Sequence, residues 1–124
     1  PFSGTKIRAL AEAAGMVLGD DGAFTRYDDD GRTQFTLQNF ETTRFSRESM
    51  LNLSTHGLTF VLDVPRVGHG ERVFQQMVET AKRFAETLQG TLVDDNRQRR
   101  RLWCRDAMRN IASFPPDSPR ASAF

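Results

Sequence analysis

Two short segments, residues 35–40 and 57–65, alternate between apolar and polar side chains with a period of two. This alternation is typical of half-buried β-strands, in which successive side chains point to opposite sides of a sheet. If the two strands lie side by side, one of their faces is strongly apolar and must belong to the core of the domain. The side chains predicted on that core face are Phe35, Leu37, Phe60, Leu62 and Val64.

The opposite face of the same two strands is predicted to be mostly polar, with two exceptions. Phe40 and Val61 fall on this face by the same alternation, and apolar side chains exposed together on a sheet suggest a patch that another molecule covers. The alternatives are that scattered apolar residues are normal on a protein surface, and that Phe40 folds under the connection at residues 41–52 as ordinary core. The polar residues predicted on this face are Thr36, Gln38, Thr59 and Asp63.

The composition limits the class of protein. A chain of 124 residues with a formal net charge of +1 has the size of one domain and no global field that favours nucleic acid or an anionic membrane. No apolar run approaches the length of about 20 residues that a membrane helix needs. The single cysteine, Cys104, excludes an internal disulfide and fits a reducing compartment. We expect one domain over residues 1–114 and a disordered, proline-containing tail at residues 115–124.

Two helices are predicted on either side of these strands. The first follows Ser3 as its N-cap and ends at Gly15, and the second is the strongest in the chain. Its apolar residues recur along one face from Phe74 to Leu88, and Gly90 is predicted to be its left-handed C-cap. The apolar residues of that face are Phe74, Met77, Val78, Ala81, Phe84, Ala85 and Leu88.

The order of elements predicts the fold class. Further strands are expected at residues 23–27 and 91–93, whereas residues 97–114 are ambiguous and allow a final helix with Leu102, Met108 and Ile111 inward. Strands combined with helices that each carry one apolar face indicate an α+β fold. Its sheet is expected to be antiparallel or mixed, with the helices packed on one face and the other face open.

Enzymatic and nucleic-acid functions receive little support from the residues. The aspartates at residues 20–21, 28–30 and 94–95 stand in turn or cap contexts, where backbone geometry favours Asp. His56 and His69 have no partner at metal-ligand spacing, so we predict no catalytic residue, no metal site and no cofactor. A nucleic-acid-binding module on a similar open sheet remains the alternative. It would use stacked aromatic residues in a basic motif, which the strand at residues 35–40 lacks.

Several motifs in order resemble the FtsZ-binding domain of the bacterial division protein ZipA. They are Ala14-Gly15, Gly19-Asp20, the strand Phe35-Thr36-Leu37-Gln38-Asn39, the segment from Gly57 to Pro65, the Phe74 helix, and Gly90 through Arg97. The resemblance implies a split β-sheet with helices on one face. It also implies a shallow apolar cleft on the open face that receives the C-terminal tail peptide of FtsZ, the tubulin-like polymer of the division ring. The family has no catalytic role, and its anchor in the inner membrane is an N-terminal helix that would lie outside this chain.

The resemblance also carries site residues onto this chain. Five positions correspond to outward cleft positions of the family, namely Ala23, Gln38, Phe40, Thr59 and Val61. Asp21 stands where the family can have a methionine that lines the cleft, and Thr42 stands where it often has a lysine near the peptide. We therefore expect these seven residues to form the partner-binding site on the cytoplasmic face of the inner membrane, at the division site.

One departure from the family concerns the start of the domain. The family opens with a strand before its first helix, and that strand lines the cleft, but here only Pro1, Phe2 and Ser3 precede the helix. Without this strand the sheet is expected to lack a ladder partner and the cleft one wall, unless another chain supplies them. The expected consequences are lower stability or self-association through the exposed edge.

Overall fold

The computed structural model describes residues 1–62, 69–94 and 101–106. Its described elements form an α+β fold, as predicted, with three helices, an open six-stranded antiparallel sheet and a separate two-stranded sheet. In chain order they are β1 (Phe2–Ser3), α1 (Gly4–Ala13), β2 (Val17–Leu18), β3 (Phe24–Tyr27), β4 (Thr33–Asn39), α2 (Ser49–Asn52), β5 (Ser54–Thr55), β6 (Gly57–Leu62), α3 (His69–Leu88), β7 (Gly90–Asp94) and β8 (Arg101–Asp106).

The main sheet has the strand order β2-β3-β4-β6-β8-β7, and every pair of neighbours is antiparallel. Strands β6 and β7, which α3 connects, therefore run in the same direction with one strand between them. That strand is β8, which pairs with β6 from Gly57 to Val61 and with β7 from Gly90 to Asp94. The sheet is thus a split arrangement, in which a β-α-β unit encloses a strand from elsewhere in the chain.

Strand β8 corrects two sequence predictions. Leu102 does point into the core, but it does so from a strand and not from a final helix. The expected lack of a ladder partner is also wrong for β6, because β8 of the same chain pairs along it. In addition, Phe2 and Ser3 form the short strand β1, which pairs with Ser54 and Thr55 of β5.

One layer of helices covers the apolar face of the sheet. Met77, Ala81 and Phe84 of the predicted α3 stripe are buried in the sheet core, whereas the other members of that stripe are half-buried against it. Val73, which was not predicted, is also buried there. The rings of Phe84 and Phe60 meet edge to face with their centroids 5.3 Å apart. Ile7 and Ala11 of α1 and Met50 of α2 enter the same core. The strand residues of this core include Phe24, Phe35, Leu37, Leu58, Phe60, Leu62, Leu92, Leu102 and Cys104.

The end of α3 differs from its prediction by one residue. Gln89, with φ of 59°, adopts the left-handed conformation that was expected at Gly90. Gly90 instead begins β7 at a point where a side chain has no room. A Cβ atom there would lie 2.7 Å from the Phe2 ring and 2.8 Å from the carbonyl oxygen of Arg105. Gly90 therefore allows the N-terminal strand to approach the end of β8 closely.

Other local predictions agree with the described structure. Gly15 has φ of 77° just beyond α1, as expected of a residue that ends a helix. Ser3 occupies the N-cap position, although its hydroxyl bonds to the Thr5 hydroxyl and not to a backbone amide. The predictions for Asp63, Val64 and Pro65, for residues 95–100 and for residues 107–124 lie outside the described residues.

We predict opposite effects on stability for substitutions at residues 89 and 90. Gly90→Ala should destabilise the domain by about 1–3 kcal/mol, because the added methyl overpacks a close backbone contact. Gln89→Gly should stabilise it by about 0.5–1 kcal/mol, because glycine relieves the left-handed strain and loses part of that gain to its unfolded-state entropy. Urea denaturation of the two variants beside the parent chain measures both, and equal shifts in the same direction would contradict this geometry.

We also predict that the thiol of Cys104 is protected by the sheet. Burial raises the pKa of Cys104 to about 12, so almost no reactive thiolate exists near neutral pH. Ellman's reagent should therefore label the native protein slowly and the urea-unfolded protein at once. Because Cys104 is the only cysteine, the signal has one source. Rapid stoichiometric labelling of the native protein would show that β8 does not lie between β6 and β7 with Cys104 in the core.

Candidate functional site

The outer face of the main sheet, which lies opposite the helices, contains a continuous row of four side chains. The strand register aligns Gln38 of β4, Thr59 of β6, Trp103 of β8 and Val93 of β7 across the sheet. The alternation of each strand places them away from the core residues on either side. Gln38 and Thr59 thus lie on the predicted face. Gln38 is exposed, whereas Thr59 is buried and forms part of the floor.

A second row runs parallel to the first along the outer face. It aligns Val17 of β2 with Thr25, Thr36 and Val61. Val17 is 57% exposed and Val61 is half-buried, so apolar side chains flank the two threonines of this row. The prediction that Val61 is accessible on this face agrees with its position.

Phe40 forms an apolar cluster on this face together with Val93 and Trp103. Its backbone amide, just beyond β4, donates a 3.0 Å hydrogen bond to the carbonyl of Gly57. Val93 and Trp103 are only 1% and 6% exposed, whereas Phe40 is half-buried. Phe40 is therefore the more accessible member of this outer cluster.

Trp103 and Val93 also belong to the outer face, although no sequence prediction placed them there. The signal was present, because Leu102, Trp103 and Cys104 follow the inward and outward alternation of a strand. The ambiguous arginine-rich surroundings concealed a strand of only six residues, Arg101–Asp106.

A polar groove of about 400 Å³ borders the outer face beside the start of β3 and the end of β4. It brings together three of the predicted site residues, Asp21, Ala23 and Gln38, whereas Phe40, Thr59, Val61 and Thr42 do not line it. Thr42 is exposed on the loop between two lining residues. The full lining consists of Asp21, Gly22, Ala23, Gln38, Asn39, Glu41, Thr43 and Arg44.

The wall of this groove at the end of β4 is held by a hydrogen-bond network around Asn39. Its amide nitrogen donates to the carbonyl of Thr43 at 2.7 Å, and its Oδ1 accepts from the amide of Glu41 at 3.0 Å. The hydroxyl of Thr55 lies 2.6 Å from the same Oδ1 and 2.8 Å from Oε1 of Glu41. The loop that follows Phe40 is therefore tied to the segment that leads into β6.

Both carboxylates that line the groove already have partners in the chain. Oδ1 of Asp21 accepts a 3.2 Å hydrogen bond from the amide of Ala23. Oε1 of Glu41 accepts from the amide of His56 at 2.9 Å, and its Oε2 lies 3.6 Å from Nδ1 of His56. Partial burial raises the pKa of Glu41, but the bonds from His56 and Thr55 outweigh it and hold that pKa below its ordinary value of 4.5.

The described residues offer no arrangement for metal binding. No group of three or more His, Cys, Asp or Glu side chains that could hold an ion occurs within residues 1–62, 69–94 and 101–106. The carboxylate of Asp28 accepts bonds from the amides of Asp30 and Arg32 and so closes the β3–β4 turn, as predicted for an aspartate in that context. The outer face therefore offers apolar contact, amides and hydroxyls, together with Arg105 two residues beyond Trp103 on β8.

Across the part of the chain that the structure describes, none of the helices combines the length and the apolar composition needed to cross a membrane.

The fold and its outer face define an open-faced split α+β domain, and comparison with known proteins gives the family. The profile of the family "ZipA, C-terminal FtsZ-binding domain" matches residues 1–110. This chain belongs to the ZipA C-terminal FtsZ-binding domain family, which is a family of bacterial cell-division proteins.

Curated relatives agree with this membership. The cell division protein ZipA of Marinobacter nauticus is 33% identical over 100 residues, which cover 77% of this chain and 30% of the relative. Those of Vibrio vulnificus and Vibrio cholerae are each 30% identical over 101 residues, which cover 78% of this chain and 32% and 35% of the relatives. The chain thus spans about a third of the length of the curated relatives it matches.

We predict a pH-dependent contribution of Glu41 to stability. A carboxyl group whose pKa is lowered by folding stabilises the native state above its unfolded pKa of 4.5 and loses that contribution as the pH falls through its folded pKa. Glu41→Gln should therefore cost about 1 kcal/mol near pH 7, the discounted value of partly exposed charge-assisted bonds, and progressively less below about pH 4.5.

Urea denaturation of the parent chain and Glu41→Gln between about pH 3 and pH 7 measures this difference. Glu48→Gln is the matched control, because Glu48 is an exposed glutamate outside the network. A pH-independent difference for Glu41→Gln would contradict the role assigned to its charge.

Proposed function

We propose that this domain binds the C-terminal tail peptide of FtsZ on the outer face of its sheet. The proposed contacts are Phe40 and Val61 as apolar anchors, with Ala23, Gln38 and Thr59 as floor and rim and with Asp21 and Thr42 beside the peptide. The domain has no catalytic role in this proposal. Membership in an FtsZ-binding family supports the choice of partner.

One observation carries the choice of surface. The helices pack on the core face of the sheet, while the outer face presents Phe40 and Val61 in a half-buried state beside buried threonines. A half-buried apolar side chain retains surface that a partner can remove from water, and this removal is the main driving force for association. Neighbouring polar groups then fix the orientation of the bound peptide.

The geometry suits a short amphipathic helix or turn. Such a peptide presents apolar side chains at helical spacing to a shallow groove, and its polar side faces solvent. The outer cluster offers one large aromatic anchor, Phe40, whose position is fixed by the pairing of its amide with Gly57 and by contact with Trp103 and Val93. A preorganised aromatic anchor costs little entropy on binding, which is typical of a hot spot.

In the cell, this binding would tether FtsZ polymers to the inner membrane and stabilise the division ring. The relatives are about two and a half times as long as this chain, and the proposed membrane anchor would belong to sequence outside it. The proposed location is therefore the cytoplasmic face of the inner membrane at the division site. The described residues add no observation that favours nucleic acid as a second candidate.

We predict that removing the apolar anchors weakens binding without unfolding the domain. Phe40→Ala and Val61→Asp should each cost about 1–3 kcal/mol of binding to the FtsZ tail, the range of a hot-spot residue. A fluorescence anisotropy titration of the domain against a labelled C-terminal peptide of FtsZ measures the change. Circular dichroism verifies that each variant remains folded.

Two controls match these substitutions. Tyr27→Ala removes an exposed aromatic residue at the opposite end of the β3–β4 hairpin, and Leu51→Asp places a charge on an exposed apolar residue of the helical layer. Neither should change the affinity by more than a small factor. Equal losses in the controls and in the anchor variants would remove the support for this surface, and a folded parent domain that binds no peptide would contradict the proposed partner.

A further inference from the structure

The groove beside the outer face is lined by one positively charged side chain, that of Arg44. Arg44 is the only basic residue among the lining residues that the structure gives for this groove. It is exposed, and no described residue forms an ion pair with it. The two carboxylates in the same lining, Asp21 and Glu41, are occupied by hydrogen bonds to the amides of Ala23 and His56.

Contacts with Gly22 and hydrogen bonds to the neighbouring backbone hold Arg44 in place. A Cβ atom on Gly22 would lie 2.7 Å from Cβ of Arg44 and 3.0 Å from its Cγ and Cδ, so the aliphatic stem lies directly over Gly22. The following amide, of Phe45, donates to the carbonyl of Gly22 at 3.2 Å, and the hydroxyl of Ser49 donates to the carbonyl of Arg44 at 3.1 Å. Gly22 has φ of 83°, a conformation that suits glycine and leaves the room that the stem occupies.

A cation in this position complements a carboxylate on the bound partner. Ala23 and Gln38 belong both to the groove and to the proposed binding face, so a peptide seated on Phe40 and Val61 extends past them toward Arg44. The planar guanidinium presents paired donors that match the two oxygens of a carboxylate. Its stem is already ordered against Gly22, so binding loses less side-chain entropy than it would with a free arginine.

We propose that Arg44 is a specificity-determining residue that binds an acidic side chain or terminal carboxylate of the peptide. This inference rests on the proposed function and deepens it, because it identifies the partner segment as an acidic peptide with an apolar anchor. By the family resemblance, Thr42 stands where the family often has a lysine near the peptide. Arg44 supplies that cation two residues farther along the same loop.

The test uses charge variants of both partners. Arg44→Gln keeps most of the stem over Gly22 and removes the charge, Arg44→Lys keeps the charge without the planar fork, and Arg47→Gln removes an exposed arginine that does not line the groove. The probes are a labelled synthetic FtsZ C-terminal peptide and the same peptide with its Asp and Glu side chains converted to amides and its C-terminus amidated. Anisotropy titrations are run at about 50 mM and about 500 mM NaCl, because salt screens exposed charges.

We expect Arg44→Gln to weaken binding of the native peptide about two- to fivefold at low salt, the range of an exposed ion pair, and to flatten its salt dependence. Arg44→Lys should recover part of the loss, Arg47→Gln should match the parent, and the amidated peptide should not distinguish Arg44→Gln from the parent. A loss that is equal for both peptides would assign Arg44 a structural role in the loop and overturn the inference.

Two other results also overturn it. If the native peptide binds the parent and Arg44→Gln equally at low salt, the inference fails while the proposed function stands. If neither peptide binds a folded parent domain, the proposed function fails, and the proposed role of Arg44 fails with it.

Discussion

The hydrogen bonds that hold β8 between β6 and β7 complete the sheet. The helix α3 joins two strands that run in the same direction, and antiparallel pairing of both to β8 satisfies the backbone groups along their facing edges. The same strand supplies Leu102 and Cys104 to the core and Trp103 to the outer face. Gly90 allows Phe2 to approach the end of β8, so the chain that leads into α1 is positioned by the same strand.

The two faces of the sheet have different physical roles. The core face gains stability from aromatic and aliphatic burial under the helices, whereas the outer face combines threonines and amides with a small number of apolar side chains. Such a surface can remain folded without a cover and still gain free energy when a partner removes Phe40 and Val61 from water. In the adjacent groove, Asp21 and Glu41 accept hydrogen bonds from amides of the same chain, and Arg44 is the cation of that lining.

Local sequence signals predicted much of this arrangement. Period-two alternation located β4 and β6 and the outward direction of Phe40 and Val61, and helical periodicity located α3. Those signals are local, so they could not show that a short arginine-rich segment pairs both with the preceding strand β7 and with β6, which is remote from it in sequence. The left-handed conformation occurs at Gln89 and not at the predicted Gly90. Gly90 is instead needed where β7 packs closely against Phe2, which is a tertiary contact that the local sequence does not show. The position of Arg44 depends on a contact with Gly22 across a loop, which no periodic pattern encodes.

The position of β8 between β6 and β7 has a consequence for synthesis on the ribosome. Translation proceeds from the N-terminus, so β6, α3 and β7 emerge before the strand that must lie between them. Until residues 101–106 leave the exit tunnel, both neighbouring strands expose unpaired backbone edges, which are the kind of surface that chaperones and other nascent chains bind. The sheet can therefore close only after β8 has emerged. Pairing of β8 with both neighbours removes these free edges and places Trp103 beneath Phe40 on the outer face.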